Sequence, residues 1–300
     1  MKRYVTKDDV KIFKGKYYLP WFKKDEVVHF QTPKKVIVLD LDETLGSFAD
    51  LYILWCGIKQ VWSDCDKFDY LCEIYPEFLR YGILTILEYL YDKKLRKECD
   101  KIFIYTNNQC SSEWVHMISG YLEKKVKCSI RRNTKKRLFD KIICAFKINN
   151  KQIELCRTGH SKKYEDLLRC SLISENADIC FIDDVEYAEM KSTKVYYICP
   201  RPYVHYLSSC DIIKRIVRSP WIPDGILKKT SFWKDWFYIH KRRYSRRGKC
   251  DIELDLQVSQ KMIVHLRDFM MFGIVDYSKG KRKTHKLMKS TTFRKTRKNS

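Results

Sequence analysis

KKVIVLDLDETLGS, residues 34–47, is the stretch from which the rest of the chain can be read. Four apolar residues, 36–39, run into Asp40-Leu41-Asp42-Glu43-Thr44, and a turn follows. A short continuous apolar run of this kind reads as a parallel strand buried on both faces. Open α/β sheets place ligands beyond the carboxyl ends of their strands, so these acids are expected at a ligand-binding edge. In extended backbone, residues i and i+2 share a face at roughly 6–7 Å. Asp40 and Asp42 can therefore address one phosphoryl group and one metal ion. As a carboxylate, Asp40 could attack phosphorus and divide a hard hydrolysis into two displacements. Asp42 could protonate the leaving oxygen and then deprotonate water, and a neighbouring carboxylate helps it keep its proton. Mg²⁺ suits such a hard-oxygen set. An EF-hand loop would need Gly at its sixth position and Glu at its twelfth, where this chain has Leu45 and Leu51, so that reading fails.

Further apolar runs predict strands at 102–105, 142–148, 179–182 and 195–199. Helical periods lie between them: Leu79, Ile83, Ile86, Leu87 and Leu90 behind Pro76; Val115, Ile118, Leu122 and Val126; and Tyr164, Leu167, Leu168 and Leu172. These stripes are core-facing surfaces. The alternation predicts an α/β fold, a Rossmann-like, mostly parallel sheet flanked by helices. The basic stretch 123–137 reads as a loop or small insertion. Beyond Pro200 the alternation weakens, aromatics mix with arginines across 221–249, and the last twenty residues read as disordered.

Composition narrows the class. The 300 residues are 45% hydrophobic and 32% charged, which excludes wholesale disorder, and no apolar run is long enough to cross a bilayer. The N-terminus lacks the apolar stretch of a signal peptide. Thirteen cysteines, an odd number without any CxxC pair, fit free thiols in a reducing, intracellular compartment. Cys65 and Cys72, the closest two, have no nearby histidine and make a weak zinc pair. The net charge is +23, and residues 241–300 carry more than half of it. Such a region attracts nucleic acid or an acidic partner, or serves as a solvated tail. The clusters KRRYSRR (241–247) and KGKRK (279–283) also suit nuclear address signals, and the choice between nucleus and cytoplasm stays open.

The segment VLDLDETL resembles motif I of the haloacid dehalogenase superfamily, in its FCP/SCP-type branch of NLI-interacting-factor-like phosphatases. The resemblance implies Mg²⁺-dependent phosphatases acting on phosphoserine and phosphothreonine, notably in the RNA polymerase II C-terminal domain. It further implies a hydroxyl after the second strand, supplied by Thr106 in KIFIYTNN, with Asn107 beside it. A lysine opening a later helix is offered by Lys162 or Lys163 in HSKKYEDLLRC. Lys162 is favoured, because Asp166, Leu167 and Leu168 follow at the family's spacing. ICFIDDVEY supplies the acidic pair, Asp183 and Asp184. The implied roles are Asp40, Asp42, Thr106 and Lys162 in catalysis; Thr44, Asn107 and Lys163 in substrate binding; and Asp40, Asp42, Asp183 and Asp184 around the metal. The resemblance spans about residues 34–205, leaves room only for small insertions, and departs from the family in the basic segment 131–160. KVYYICPRPYVHYL is similar to the variety encoded by large DNA viruses. The expected organisation is a lead segment (1–33), a phosphatase domain (34–215), a basic aromatic-rich extension (216–280) and a basic tail (281–300). The expected substrate is a phosphorylated protein; a nucleic-acid end phosphatase or an idle binding module are the alternatives.

Overall fold

The computed structural model describes residues 10–13, 34–130, 134–240 and 252–274. Most of the lead segment, the cluster at 241–251, KGKRK and the tail 281–300 lie outside the described residues.

Six strands form the main sheet in the order β1-β8-β7-β2-β3-β4. These are β1 (Val10–Phe13), β2 (Lys35–Leu39), β3 (Lys101–Tyr105), β4 (Lys141–Ile143), β7 (Asp178–Ile182) and β8 (Val195–Pro200). Five run parallel, and β1 pairs antiparallel with β8 at one edge. Side chains alternate across the strands. Val36 and Val38 join Phe103, Phe181 and Tyr197 on one face, while Ile37 and Leu39 join Ile104, Ile182 and Ile198 on the other. Both faces are dry because helices cover both, as a parallel sheet requires. The fold is thus α/β, as expected, with a mostly parallel sheet between helical layers.

From central β2 the chain crosses through α1 (Ala49–Val61), α2 (Phe68–Ile74) and α3 (Ile83–Leu95) to β3, then through α4 (Ser112–Ile130) to β4. It then returns past β5 (Lys147–Ile148), β6 (Lys151–Gln152) and α5 (Tyr164–Ser171) to β7, on the opposite side of β2. Strand order reverses between β2 and β7, and the crevice at such a switch point is where open α/β sheets hold ligands. β5 and β6 form a two-stranded hairpin. Its turn residues, Asn149 and Asn150, have φ of 49° and 61°, the paired left-handed conformation of a tight hairpin turn that asparagine tolerates.

Three local expectations change. Pro76 opens a 3₁₀ turn, Pro76–Phe78, and the helix begins only at Ile83 because Gly82 breaks the backbone at φ 77°. The strand expected over 142–148 divides into β4 and β5. Residues 123–130 are the last turns of α4 and not a loop. Buried Val126 and the Lys127–Glu123 ion pair at 2.6 Å carry the helix through its basic sequence.

The described parts of 216–274 pack on the same core. Helix α6 (Ser209–Arg218) starts on Ser208, whose hydroxyl accepts from the Asp211 N–H at 3.1 Å. On α7 (Thr230–His240), Trp233 is fully buried and Trp236 donates to the Ile53 carbonyl of α1 at 2.9 Å. Helix α8 (Ile252–Phe272) sends Leu254, Val258, Met262, Leu266 and Phe269 inward, against α3 and β8. Each such side chain contributes about 1.5–3 kcal/mol on full burial. No described helix is long and apolar enough to cross a membrane.

Candidate active site

The site forms where β2 and β7 end side by side. Leu39 pairs with Ile182 in parallel register, so the next residues, Asp40 and Asp183, emerge abreast, and the Asp40 N–H donates to the Ile182 carbonyl at 2.8 Å. Lys162, two residues before α5, reaches between them. Its Nζ donates to Asp40 Oδ1 at 2.5 Å and to Asp183 Oδ2 at 2.6 Å. All three side chains are buried, with Lys162 and Asp183 each 1% exposed. The rings of Tyr105, Phe181 and Tyr187 stand 5.5–5.9 Å from Nζ. This aromatic wall excludes water and favours the cation. Burial opposes charge on Lys162, but Asp183 and then Asp40 outweigh it and hold its pKa above the ordinary lysine value. Lys163 turns away to Glu189, at 2.8 Å, and only Lys162 enters the site.

Asp184 is half-buried beside this group. Thr44 Oγ1 donates to its Oδ1 at 2.8 Å and accepts from its backbone N–H at 3.0 Å. Thr44, expected on the substrate, is instead fully buried and fixes Asp184. Burial, then repulsion from Asp40, raises Asp184 to about 6. Oxygens of Asp40, Asp183 and Asp184 lie within 4.8 Å of one another. An all-carboxylate set of this kind fits Mg²⁺, whose preferred ligands are hard oxygens. Asp42 stands outside that group: its Oδ2 accepts from Asn108 Nδ2 at 2.8 Å. Burial, then Asp40, raises Asp42 to about 7, and burial with Asp42 raises Glu43 to about 8.

The loop carrying Asp42 and Thr44 is tight. Glu43 is left-handed at φ 56°, and its N–H closes on the Gly46 carbonyl at 2.7 Å. A Cβ on Gly46 would stand 2.4 Å from the Phe78 carbonyl oxygen, so only glycine fits. Arg80 clamps the loop from behind through the carbonyls of Thr44 and Glu43, at 2.6 and 2.5 Å.

Thr106 follows β3 and lines the same cavity, its Oγ1 accepting from the Asn108 N–H at 3.0 Å. Asn107 donates to the Tyr187 hydroxyl at 2.9 Å and accepts from Arg157 Nη2 at 2.7 Å. Arg157, 2% exposed, also holds the carbonyls of Thr106, Cys144 and His160. The cavity, about 560 Å³, extends from Asp40, Asp42 and Asp184 past Thr106 and Asn107 to Tyr52 and Trp114.

The sequence reading did not single out Arg80 and Arg157. Isolated arginines read as surface residues, and the carbonyls that need them lie 36 and 51 positions away. Asp166 has a role beyond the motif spacing: its Oδ2 accepts from the Thr158 N–H at 2.9 Å, tying α5 to the loop before Lys162.

No family model, curated protein or solved structure matches the chain.

Proposed function

We propose that this protein is a Mg²⁺-dependent phosphatase of the haloacid dehalogenase type, hydrolysing phosphomonoesters through an aspartyl-phosphate on Asp40. The observation that carries the reading is Lys162 bridging Asp40 and Asp183 at the sheet's switch point, with Asp184 beside them. Among the described residues Asp40 Oδ2 has no hydrogen-bond partner, which leaves one oxygen for attack.

Lys162 orients Asp40 through Oδ1 and offsets negative charge on the incoming phosphoryl group. Asp40 Oδ2 bonds to phosphorus as the ester P–O bond breaks, and Asp42 gives its proton to the departing oxygen. Asp42 then takes a proton from water, whose oxygen attacks the same phosphorus and restores the Asp40 carboxylate with release of phosphate. A pKa near 7 suits a group that must first give and then take a proton. Asn108 aims that carboxyl, and Thr106 with Asn107 offers polar contacts to phosphate oxygens. Asp40, Asp183 and Asp184 would hold Mg²⁺, which when bound neutralises charge between nucleophile and phosphate.

For substrate we favour phosphoserine or phosphothreonine in a protein. Apart from Lys162, which stands behind Asp40 and Asp183, no lysine or arginine lies at the cavity among the described residues. Such a wall suits a lone phosphoryl group on a peptide better than a polyanionic strand, which needs cations along its backbone. The two active-site acids that an idle binding module could dispense with, Asp40 and Asp42, are both present.

The test is acid-quenched mass spectrometry of enzyme mixed with substrate and Mg²⁺. Phosphate on Asp40 is expected, and it should be absent from Asp40→Asn. Phosphopeptides and a 3′-phosphorylated oligonucleotide are assayed in parallel. Turnover of the oligonucleotide alone would replace the substrate class, and no turnover of any phosphoester above the Asp40→Asn control would leave a binding module.

A further inference from the structure

A second cluster of metal-ligating side chains lies outside the candidate active site. The Glu154 carboxylate, Cys156 Sγ and Cys170 Sγ come from the loop after β6 and from α5, and their donor atoms all lie within 4.8 Å of one another. Both cysteines are free thiols. Among the described residues no cation or hydrogen-bond donor pairs with the Glu154 side chain, although Lys141 and Arg169 lie beside the two cysteines. Those two cations are engaged elsewhere, on the backbone carbonyls of Cys170 and Cys156. A carboxylate left unpaired beside two thiols offers a donor set that a soft divalent cation can take.

We propose that Glu154, Cys156 and Cys170 bind a Zn²⁺ ion. Two sulfurs exclude Mg²⁺ and Ca²⁺, which take oxygen ligands, and select a softer ion. Around tetrahedral zinc, with Zn–S near 2.3 Å and Zn–O near 2.0–2.2 Å, neighbouring donors stand about 3.3–3.8 Å apart. The cluster therefore needs to close by no more than about 1.5 Å. Three side chains leave the fourth position to water. Cys170 is buried while Glu154 and Cys156 are half-exposed, which gives the ion an approach from one side.

The position suggests what the ion would do. Cys156 precedes Arg157, which holds the Thr106 carbonyl, Asn107 and the His160 carbonyl. Cys170 lies on the helix that follows Lys162. A zinc ion here pins that loop to that helix, behind the phosphoryl-binding side chains, without touching substrate. This ion is independent of the Mg²⁺ assigned to the carboxylates.

Co²⁺ substitution tests the proposal directly. The full chain, stripped with a chelator and kept under a non-thiol reductant, is titrated with Co²⁺ and read by absorption. A thiolate-to-cobalt band saturating at one equivalent is expected and should disappear when Zn²⁺ is added. The double variant Cys156→Ser/Cys170→Ser should lose at least nine-tenths of the band, while Asp184→Asn, altered only at the oxygen site, should keep it. If the double variant is unfolded by circular dichroism, Cys156→Ser alone and Glu154→Gln serve, each expected to weaken Co²⁺ binding at least tenfold. Absence of the band, its persistence in the folded cysteine variants, or a Cys156–Cys170 disulfide in the untreated protein by peptide mapping would overturn the assignment.

Discussion

Arg80→Met tests whether the loop bearing Asp42 and Thr44 is held from outside. Arg80 is 1% exposed, and it donates to the carbonyls of Thr44, Glu43 and Arg201 at 2.6, 2.5 and 2.8 Å. Hydrogen bonds from a charged donor contribute about 1.5–3 kcal/mol each, so three give roughly 4–9 kcal/mol. Against this stands the cost of burial, which lowers the guanidinium pKa to about 10, and an Nη1 buried without a partner among the described residues. Methionine removes that cost but leaves three carbonyls facing an apolar side chain. The variant is therefore expected to lose about 3–5 kcal/mol, the range for breaking a buried charged network. Urea unfolding followed by circular dichroism reads this as a lower midpoint at unchanged slope. Arg80→Lys restores the charge without the planar fork and should recover less than half of the loss. A loss below about 1 kcal/mol in Arg80→Met, with a folded protein, would refute the reasoning and show that the loop closes on its own backbone bonds.

Four other outcomes are expected. Lys162→Met should lower kcat for an aryl phosphate by at least about 10²-fold in a folded protein, measured by phosphate release. Thr44→Val, which frees Asp184 from its only hydroxyl partner among the described residues, should raise the Mg²⁺ concentration for half-maximal activity by about 10–100-fold. Gly57→Val should cost about 1–3 kcal/mol in thermal or urea unfolding, because a Cβ there meets the Trp233 ring at 2.7 Å; a neutral result would mean that α7 does not dock on α1. Burial raises the Glu77 pKa, but the two-pronged bond from Arg215, at 2.7 and 2.8 Å, outweighs it and leaves the pKa lowered. The stability this contributes is present above the unfolded value and lost as pH falls through the folded one. Glu77→Gln should thus be less stable than wild type at neutral pH, with the gap closing under acid, and a gap that stays constant with pH would contradict the ion pair.

Legibility followed locality. Asp40, Asp42, Asp183 and Asp184 each sit directly behind an apolar strand, so their places at the sheet edge can be read from a few contiguous residues. Lys162 was separable from Lys163 only by the spacing to Asp166, Leu167 and Leu168, and the structure gives that spacing a cause. Leu167 is buried under the sheet and Asp166 is bound to Thr158, which together set the phase of α5 and send Lys162 inward. Thr44 was placed correctly on the loop but assigned to the wrong partner, because a hydroxyl after two acids does not reveal that an acid 140 residues away will take it. The stretch 123–137 reads as a loop because Glu123, Lys124, Lys125 and Lys127 carry no apolar period of their own, although Val126 already belongs to the stripe of Val115, Ile118 and Leu122 that α4 buries. The α7 and α8 faces were not read as core, since their apolar positions gain meaning only from α1, α3 and β8 against which they lie.

Register joins the fold to the site. β2 and β7 are central strands buried on both faces, so each has two apolar sets, Val36 and Val38 against Ile37 and Leu39, and Ile179 and Phe181 against Cys180 and Ile182. Slipping β7 by one residue would move every one of its side chains to the opposite face. The slip that sets Ile182 opposite Asp40 would leave Lys162 with a single carboxylate in a wall of aromatic rings, and the opposite slip would put Asp184 in the place of Asp183 and take it from Thr44. A buried ammonium with one partner, and a buried carboxylate with none, is among the costliest arrangements a core can hold. The packing of the sheet and the charge balance of the site therefore penalise the same error. Because both demands fall on the same two strands, the residues that shape the core also deliver Asp40 and Asp183 to one lysine.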